Sequence, residues 1–314
     1  MLRTAICDLF GIKYPIIQGG MAHIGTAELV SAVSNAGALG IIGCGFYKPD
    51  WVRKQIRLTR QKTDQTFGIN ILLNSPYVTE ILEIILQEKV PIIATGVGNP
   101  EPYIPQLKQA GLKIIPVVAS VTAARNMEIA GADAIVAEGM ESGGTIGETA
   151  LVALVPQVVD AVKIPVIAAG GIADGRGLAA AMALGAQGIQ MGTRFVCSEE
   201  SVAHSAYKQK ILDADDRSTV ITGRTTGISL RTLKNSLTEQ FLALEQAGAT
   251  REELNIFSSG RMHLGMIDGD VEQGSLLAGQ IAGMITDIKP VKVIIEETVA
   301  EAEWVISHLN IISK

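Results

Sequence analysis

Residues 164–195, IPVIAAGGIADGRGLAAAMALGAQGIQMGTRF, contain two short apolar runs that each end in glycine, at Gly170-Gly171 and at Gly192. An alanine-rich helical segment separates them. Such runs are too short to span a membrane and are typical of parallel strands buried on both faces. Glycines at both strand ends let backbone N–H groups approach an anion, as at the phosphate site after the seventh and eighth strands of a (β/α)8 barrel. We therefore predict a phosphorylated cofactor here, although ordinary tight βα turns also use glycine.

The alternation of strand and helix extends back through the chain to residue 14. Eight strands are predicted, at 14–21, 39–45, 67–73, 91–98, 113–119, 133–139, 165–171 and 188–195. The clearest helices between them are predicted at 26–36, 49–62 and 77–88. Eight such units favour a closed TIM (β/α)8 barrel, because right-handed crossovers connect parallel strands. An open doubly wound sheet is the alternative, but no G-x-G-x-x-G opens a helix after the first strand.

The chain is long enough for one barrel and an additional segment. It has 314 residues, of which 47% are hydrophobic, and barrels of this class run to about 250 residues. We predict the barrel over residues 1–200, a helical insertion over the barrel mouth at 201–270, and C-terminal helices at 271–314 that complete the barrel domain. Further helices are expected at 201–214, 230–247, 274–285 and 291–309.

Charge and cysteine content argue against several classes of protein. The net charge is −6 and no basic cluster provides a nucleic-acid surface. Cys7, Cys44 and Cys197 are far apart, which disfavours a disulfide framework and a zinc site and predicts buried thiols. No apolar run reaches about 18 residues, and the N-terminus lacks the pattern of a signal peptide. We therefore expect a cytoplasmic protein with no metal and no membrane or nucleic-acid partner.

The predicted strand ends carry mainly amides, hydroxyls and glycines. Gln18 to Met21 end the first strand, Asn70 lies in the third, and Glu138 ends the sixth. No Ser/His/Asp set, carboxylate pair or metal-spaced cluster accompanies them, so they suit holding a polar, planar, phosphorylated ligand better than hydrolysis. Gln18 or Asn70 alone could equally be a buried amide that satisfies loop backbone.

Seven motifs together resemble a known family in order and spacing. They are IIQGGM, GINILL, PVVASV, IVAEGMESGGTIGE, PVIAAGGIADGRG, QMGTRF and QGSLLAGQIAG. They closely resemble the FMN-dependent enoyl-acyl-carrier-protein reductases of bacteria, which share a flavoprotein superfamily with the nitronate monooxygenases (2-nitropropane dioxygenases). The resemblance covers nearly the whole chain. It implies a TIM barrel with FMN at its C-terminal mouth, NAD(P)H as reductant, an enoyl substrate linked to acyl carrier protein or coenzyme A, and a homodimer.

The resemblance also implies which residues bind the cofactor. They are Gly20, Met21, Asn70, Glu138, Gly144, Gly170, Gly171, Gln190, Gly192, Thr193, Ser275 and Gln280. The glycines at 170, 171 and 192 and the adjoining threonine would take the phosphate, so the resemblance and the strand-end glycines indicate the same place. Ser275 and Gln280 would approach the flavin from a closing helix.

One position departs from the family pattern. The family has histidine after two glycines in the segment that follows the sixth strand, whereas this chain has Thr145. A threonine hydroxyl can donate a hydrogen bond to a thioester carbonyl but cannot exchange protons near neutral pH, and losing a general acid or base typically costs on the order of 10²–10⁴ in rate. His23, at the mouth of the first strand, is the candidate to compensate, or it packs against the insertion. His204, His263 and His308 are expected to be solvated or structural.

Three functions remain open on this sequence. The first is NAD(P)H-dependent reduction of 2-enoyl thioesters, which the motifs AEGMESGG and AGGIADG favour. The second is oxidation of nitronates by a monooxygenase, with reoxidation by oxygen. The third is a flavin-binding protein with reduced or lost catalysis, for which Thr145 is the support.

Overall fold

The computed structural model describes residues 2–309, and its centre is a closed barrel of eight parallel strands. The strands are β1 (Ile16–Gln18), β2 (Leu39–Gly43), β3 (Phe67–Ile71), β4 (Ile92–Thr95), β5 (Lys113–Val118), β6 (Ile135–Glu138), β7 (Gly144–Thr145), β8 (Val166–Ala169), β9 (Gly188–Met191), β10 (Thr219–Thr222) and β11 (Leu230–Leu233). The barrel order is β1-β2-β3-β4-β5-β6-β8-β9, and β9 pairs back onto β1 with Ile17 opposite Gln190. The predicted TIM barrel is confirmed.

The helices follow the strands in the alternation that the sequence predicts. They are α1 (Ala5–Phe10), α2 (Ala27–Asn35), α3 (Pro49–Lys62), α4 (Val78–Gln87), α5 (Ile104–Gln109), α6 (Val121–Ala130), α7 (Leu151–Ala161), α8 (Gly175–Ala183), α9 (Thr193–Val196), α10 (Ser205–Leu212), α11 (Ser236–Gln246), α12 (Arg251–Ser258), α13 (Arg261–Met266) and α14 (Val291–Leu309), with short 3-10 helices at Arg224–Thr226 and Gln280–Met284. In the part of the chain from residue 2 to residue 309, no helix has the length and apolar character needed to cross a bilayer.

Burial explains why the strands form. Every residue of β2, β3 and β4 is buried, as expected for strands covered on both faces. A core cluster inside the barrel joins side chains of several strands to Ile6 and Phe10, so α1 packs against the barrel interior. Cys7, Cys44 and Cys197 are free and buried, as predicted.

Three predicted elements are wrong. Residues 230–233 form β11 instead of the start of a helix, because they pair with β10 on one side and with β7 on the other. The polar stretch before them contains β10. Residues 274–279 are extended instead of helical, since the Leu276 carbonyl accepts from the Leu233 N–H at 2.9 Å, and only Gln280–Met284 turns into a 3-10 helix. Glycine is a poor helix former, and here tertiary pairing decides the conformation. The eighth barrel strand ends at Met191, before α9.

A small antiparallel sheet attaches residues 201–270 to the barrel. Its order is β10-β11-β7, and β11 pairs with β7 through Arg231 opposite Gly144 and Leu230 opposite Thr145. Because β7 follows the C-terminal end of β6, this sheet lies at the barrel end that carries active sites in (β/α)8 enzymes.

Candidate active site

The ends of β8 and β9 form a glycine-lined recess. Gly170 and Gly171 have left-handed backbones, with φ of +91° and +70°. A Cβ on Gly170 would lie 2.9 Å from the Gly139 carbonyl oxygen, so only glycine fits there. Across residues 2–309, no protein acceptor is hydrogen-bonded to the N–H of Gly171 or of Gly192. These donors suit the phosphate of FMN, which the resemblance implies at this point.

A second wall of the mouth joins the ends of β1, β3 and β9. A Cβ on Gly20 would lie 2.2 Å from the Asn70 Cβ, and one on Gly19 would lie 3.0 Å from the Gln190 side chain. Met21 extends this wall, because its Sδ is 3.5 Å from where a Cβ on Gly192 would lie. The structure therefore brings these predicted residues together around one opening.

The two amides singled out from the sequence behave differently. Gln18 is fully buried and satisfies the backbone of β2, since its Oε1 accepts from the Ile41 N–H at 3.1 Å and its Nε2 donates to the Ile41 carbonyl at 3.3 Å. Asn70 is 8% exposed, yet its amide has no hydrogen-bond partner within the described chain. The amide therefore has hydrogen-bonding capacity left for a ligand at the mouth. Asn70 therefore fits a residue that binds the polar edge of a flavin.

Glu138 supplies the carboxylate at the mouth. It ends β6, and Ser142 Oγ donates to its Oε1 at 2.8 Å. Burial raises the pKa of Glu138 to about 7, while the Ser142 hydrogen bond acts in the opposite direction. The neighbouring Glu141 carboxylate is used differently, because it accepts from the Leu151 N–H at the start of α7 at 3.0 Å. Glu138 can therefore accept or donate a hydrogen bond near neutral pH.

The C-terminal segment closes the mouth as an extended chain, instead of as the predicted helix that was to carry Ser275 and Gln280. The Gly279 N–H donates to Thr193 Oγ1 at 3.0 Å, and the Gln280 N–H donates to the Glu141 carbonyl at 2.9 Å. Gln280 thus lies beside the loop after β6. The Ser275 N–H instead donates to the Arg261 carbonyl at 2.8 Å, which places Ser275 next to α13.

Thr145 lies in β7 and is exposed. The loop before it is fastened by Arg231, whose Nε and Nη2 donate to the Met140 carbonyl at 3.1 and 3.0 Å. Burial is the main cause that lowers the pKa of Arg231. Sequence reasoning missed this residue, because a single arginine in a polar stretch carries no motif.

His23 lies in an aromatic group on the first-strand side of the mouth. Its Nδ1 is 2.6 Å from the Tyr47 hydroxyl, and its ring meets the His263 ring edge-on at 5.3 Å between centroids. Tyr47 in turn stacks on Trp51 at 3.9 Å. Burial, and secondarily His263, lowers the pKa of His23. No motif in the sequence indicated that Tyr47 and Trp51 belong to this group or that His263 contacts His23.

Comparison with known proteins identifies the family to which this barrel belongs. The nitronate monooxygenase family model matches residues 3–83 and 75–301. The chain therefore belongs to the nitronate monooxygenase family of oxidoreductases.

Individual relatives carry several names within this family. The solved structure of FabK from Thermotoga maritima is 49% identical, covers 99% of both chains and has a TM-score of 0.97. This match confirms the resemblance to enoyl-acyl-carrier-protein reductases. A Mycobacterium tuberculosis protein named (3aS,4S,5R,7aS)-5-hydroxy-7a-methyl-1-oxo-octahydro-1H-indene-4-carboxyl-CoA dehydrogenase is 35% identical over 98% of both chains. A probable nitronate monooxygenase of Staphylococcus saprophyticus is 38% identical over 74% of this chain and 79% of its own.

Proposed function

We propose that this protein is an FMN-dependent reductase that uses NAD(P)H to reduce 2-enoyl thioesters carried on acyl carrier protein or coenzyme A. The observation that carries the proposal is the Asn70 side chain, which packs against Gly20 at the end of β1 in a mouth whose motifs match the reductases. The likeness to FabK along the full chain supports the reductase, and the CoA thioester in the name of the M. tuberculosis relative supports thioester substrates.

The residues of the mouth divide the work of holding the cofactor. The N–H groups of Gly171 and Gly192, with Gly170 and Thr193, would hold the phosphate. Gly20 and Met21 would line the ring, beside Asn70 and Gln190. FMN bound there would supply the hydride-transfer chemistry between NAD(P)H and the substrate.

The remaining predicted residues would serve the ribityl chain and the substrate. Glu138, protonated or ionised near pH 7, would bind the ribityl hydroxyls. Gly144 and Gln280 would enclose the flavin on the side of the loop after β6. Ser275 would enclose it on the side of α13. Thr145 and His23 would donate hydrogen bonds to the thioester carbonyl, where negative charge develops as hydride reaches the β-carbon.

A nitronate monooxygenase is the second candidate. The family model and the S. saprophyticus relative support it. Both reactions need the same flavin site, so the barrel mouth by itself does not separate them. The two reactions differ in whether an enoyl thioester is reduced and in whether oxygen reoxidises the flavin.

Anaerobic half-reactions test the proposal directly. Purified protein loaded with FMN is reduced with NADH or NADPH and then mixed with crotonyl-CoA, while flavin absorbance is followed. We expect reoxidation by the enoyl thioester with formation of the saturated product. Reoxidation only by oxygen, together with oxygen uptake on a nitronate such as that of 2-nitropropane, would overturn the reductase in favour of the monooxygenase. Bound FMN that reacts with neither substrate would indicate lost catalysis.

A further inference from the structure

A chain of four polar side chains crosses from the barrel mouth to the segment that covers it. His23 follows β1, Tyr47 lies between β2 and α3, and His263 belongs to α13. Asp268 lies beyond α13, with its Oδ1 3.5 Å from His263 Nε2. These groups are far apart in the sequence, so only the folded chain brings them together.

We propose that Tyr47 and His263 position His23 as a neutral hydrogen-bond donor that points its Nε2–H at the substrate carbonyl. Tyr47 does so by fixing the imidazole tautomer, and His263 does so by disfavouring the imidazolium. The role of His23 toward a thioester rests on the proposed function above. The positioning of its ring by Tyr47 and His263 is a property of this chain alone.

The hydrogen bond to Tyr47 determines where the imidazole proton lies. Burial raises the pKa of Tyr47, so its phenol keeps its proton at neutral pH. In the proposed arrangement the Tyr47 O–H donates to His23 Nδ1, and the two atoms are 2.6 Å apart. A neutral imidazole carries one proton, and with Nδ1 accepting, that proton lies on Nε2. The free donor of His23 is therefore Nε2–H.

The surroundings of His23 keep the ring neutral. Within residues 2–309, the titratable groups that face it are Tyr47 from the loop before α3 and His263 from α13, with Asp268 behind His263. Burial disfavours the charged ring, and the positive charge of a protonated His263 adds to this effect. His263 is half exposed, with 51% of its side chain accessible.

The backbone of His23 supports a functional placement of the ring. Its φ is +67°, and only Lys89 shares a left-handed backbone among the non-glycine residues of the described chain. A left-handed backbone is strained for a non-glycine residue, and such strain is found at functional sites. A neutral imidazole donor stabilises developing negative charge on a carbonyl oxygen without transferring its own proton. The proton on Nε2 therefore remains on His23, and the α-carbon of the substrate takes its proton from water.

Nitrogen-15 NMR of the four histidines tests the positioning without any turnover. A His23→Gln variant assigns the His23 signals in the FMN-loaded protein. We expect the Nε2–H tautomer and a pKa below the usual 6.5 in the unaltered protein. Tyr47→Phe should give mixed tautomers, and His263→Gln should raise the pKa of His23. Tyr103→Phe and His308→Gln, which change the same residue types away from this group, should leave both values unchanged.

Two results would overturn the positioning: an Nδ1–H tautomer in the unaltered protein, or a tautomer ratio that Tyr47→Phe leaves unchanged. Kinetics link the positioning to the reaction. Tyr47→Phe should slow reoxidation by crotonyl-CoA about 10-fold or more at saturating substrate, as for a weakened catalytic donor, without altering flavin reduction by NAD(P)H. The expected tautomer in a protein that does not turn over enoyl thioesters would support the positioning and overturn the proposed function.

Discussion

The two sides of the barrel mouth are lined by different chemical groups, backbone N–H groups at the ends of β8 and β9 and side chains around His23. At the ends of β8 and β9, backbone N–H groups and glycines line the recess, and the residues that matter lie within one short stretch of chain. Around His23, side chains from three separate segments meet. The ends of β8 and β9 retain the family motifs, whereas Thr145 departs from them. The difference indicates that cofactor binding is encoded locally, while substrate chemistry is assembled by tertiary packing and can change without disturbing the cofactor.

The largest expected effect is a loss of FMN binding at the ends of β8 and β9. Gly171→Leu and Gly192→Leu should each lower FMN affinity roughly 100-fold, because the new side chain occupies the phosphate position and removes one or two charge-assisted hydrogen bonds. Flavin content after purification and reconstitution with FMN measure this. Gly111→Leu is the matched control, since Gly111 also has a left-handed backbone, with φ of +80°, but has nothing within 4 Å of its Cβ position. Full flavin occupancy in both site variants would refute the phosphate assignment.

A smaller effect is expected on turnover when Thr145 and His23 are changed. Thr145→His should raise enoyl reductase turnover about 10-fold or more with little change in FMN affinity, because Thr145 is exposed and leaves room for an imidazole. His23→Ala should slow the unaltered enzyme more than it slows the Thr145→His variant. Steady-state kinetics of the four combinations measure the coupling between the two positions. Unchanged turnover on adding the histidine, with independent effects at the two positions, would mean that neither residue has the proposed role.

The smallest expected effect concerns Glu138, which ends β6 next to β8. Its pKa in the folded protein, about 7, lies above the usual 4.5, so the folded state binds more protons in this window. The free energy of unfolding should therefore fall as the pH rises from 4.5 to 7, by at most about 1.4 kcal/mol per pH unit. Denaturant unfolding of the apoprotein at several pH values tests this. Glu138→Gln should flatten the dependence, whereas Ser142→Ala should shift it to higher pH. An identical pH dependence in Glu138→Gln would contradict the assignment.

Local signals explain what could be predicted from the sequence. The helix at Pro49–Lys62 begins with a proline in its first turn, which is preorganised for a helix, and its predicted range is the observed one. Contiguous glycine motifs likewise indicated the recess at β8 and β9. The residues of β11 carried no such signal, since their strand state depends on pairing with β7 and β10. The contact of His23 with His263 depends on where α13 packs, which no local pattern encodes.

The hydrogen bond between the Gly279 N–H and Thr193 Oγ1 also bears on how the protein is made. All eight barrel strands have been translated once Met191 has been added, so a nascent barrel can close at that stage. The recess at its mouth still lacks the wall that residues 275–280 provide. In the proposed flavin site, a cofactor behind that wall would be enclosed only once the ribosome has passed Gln280. A fragment that stops before Gln280 should therefore retain the cofactor less tightly than a chain that includes it.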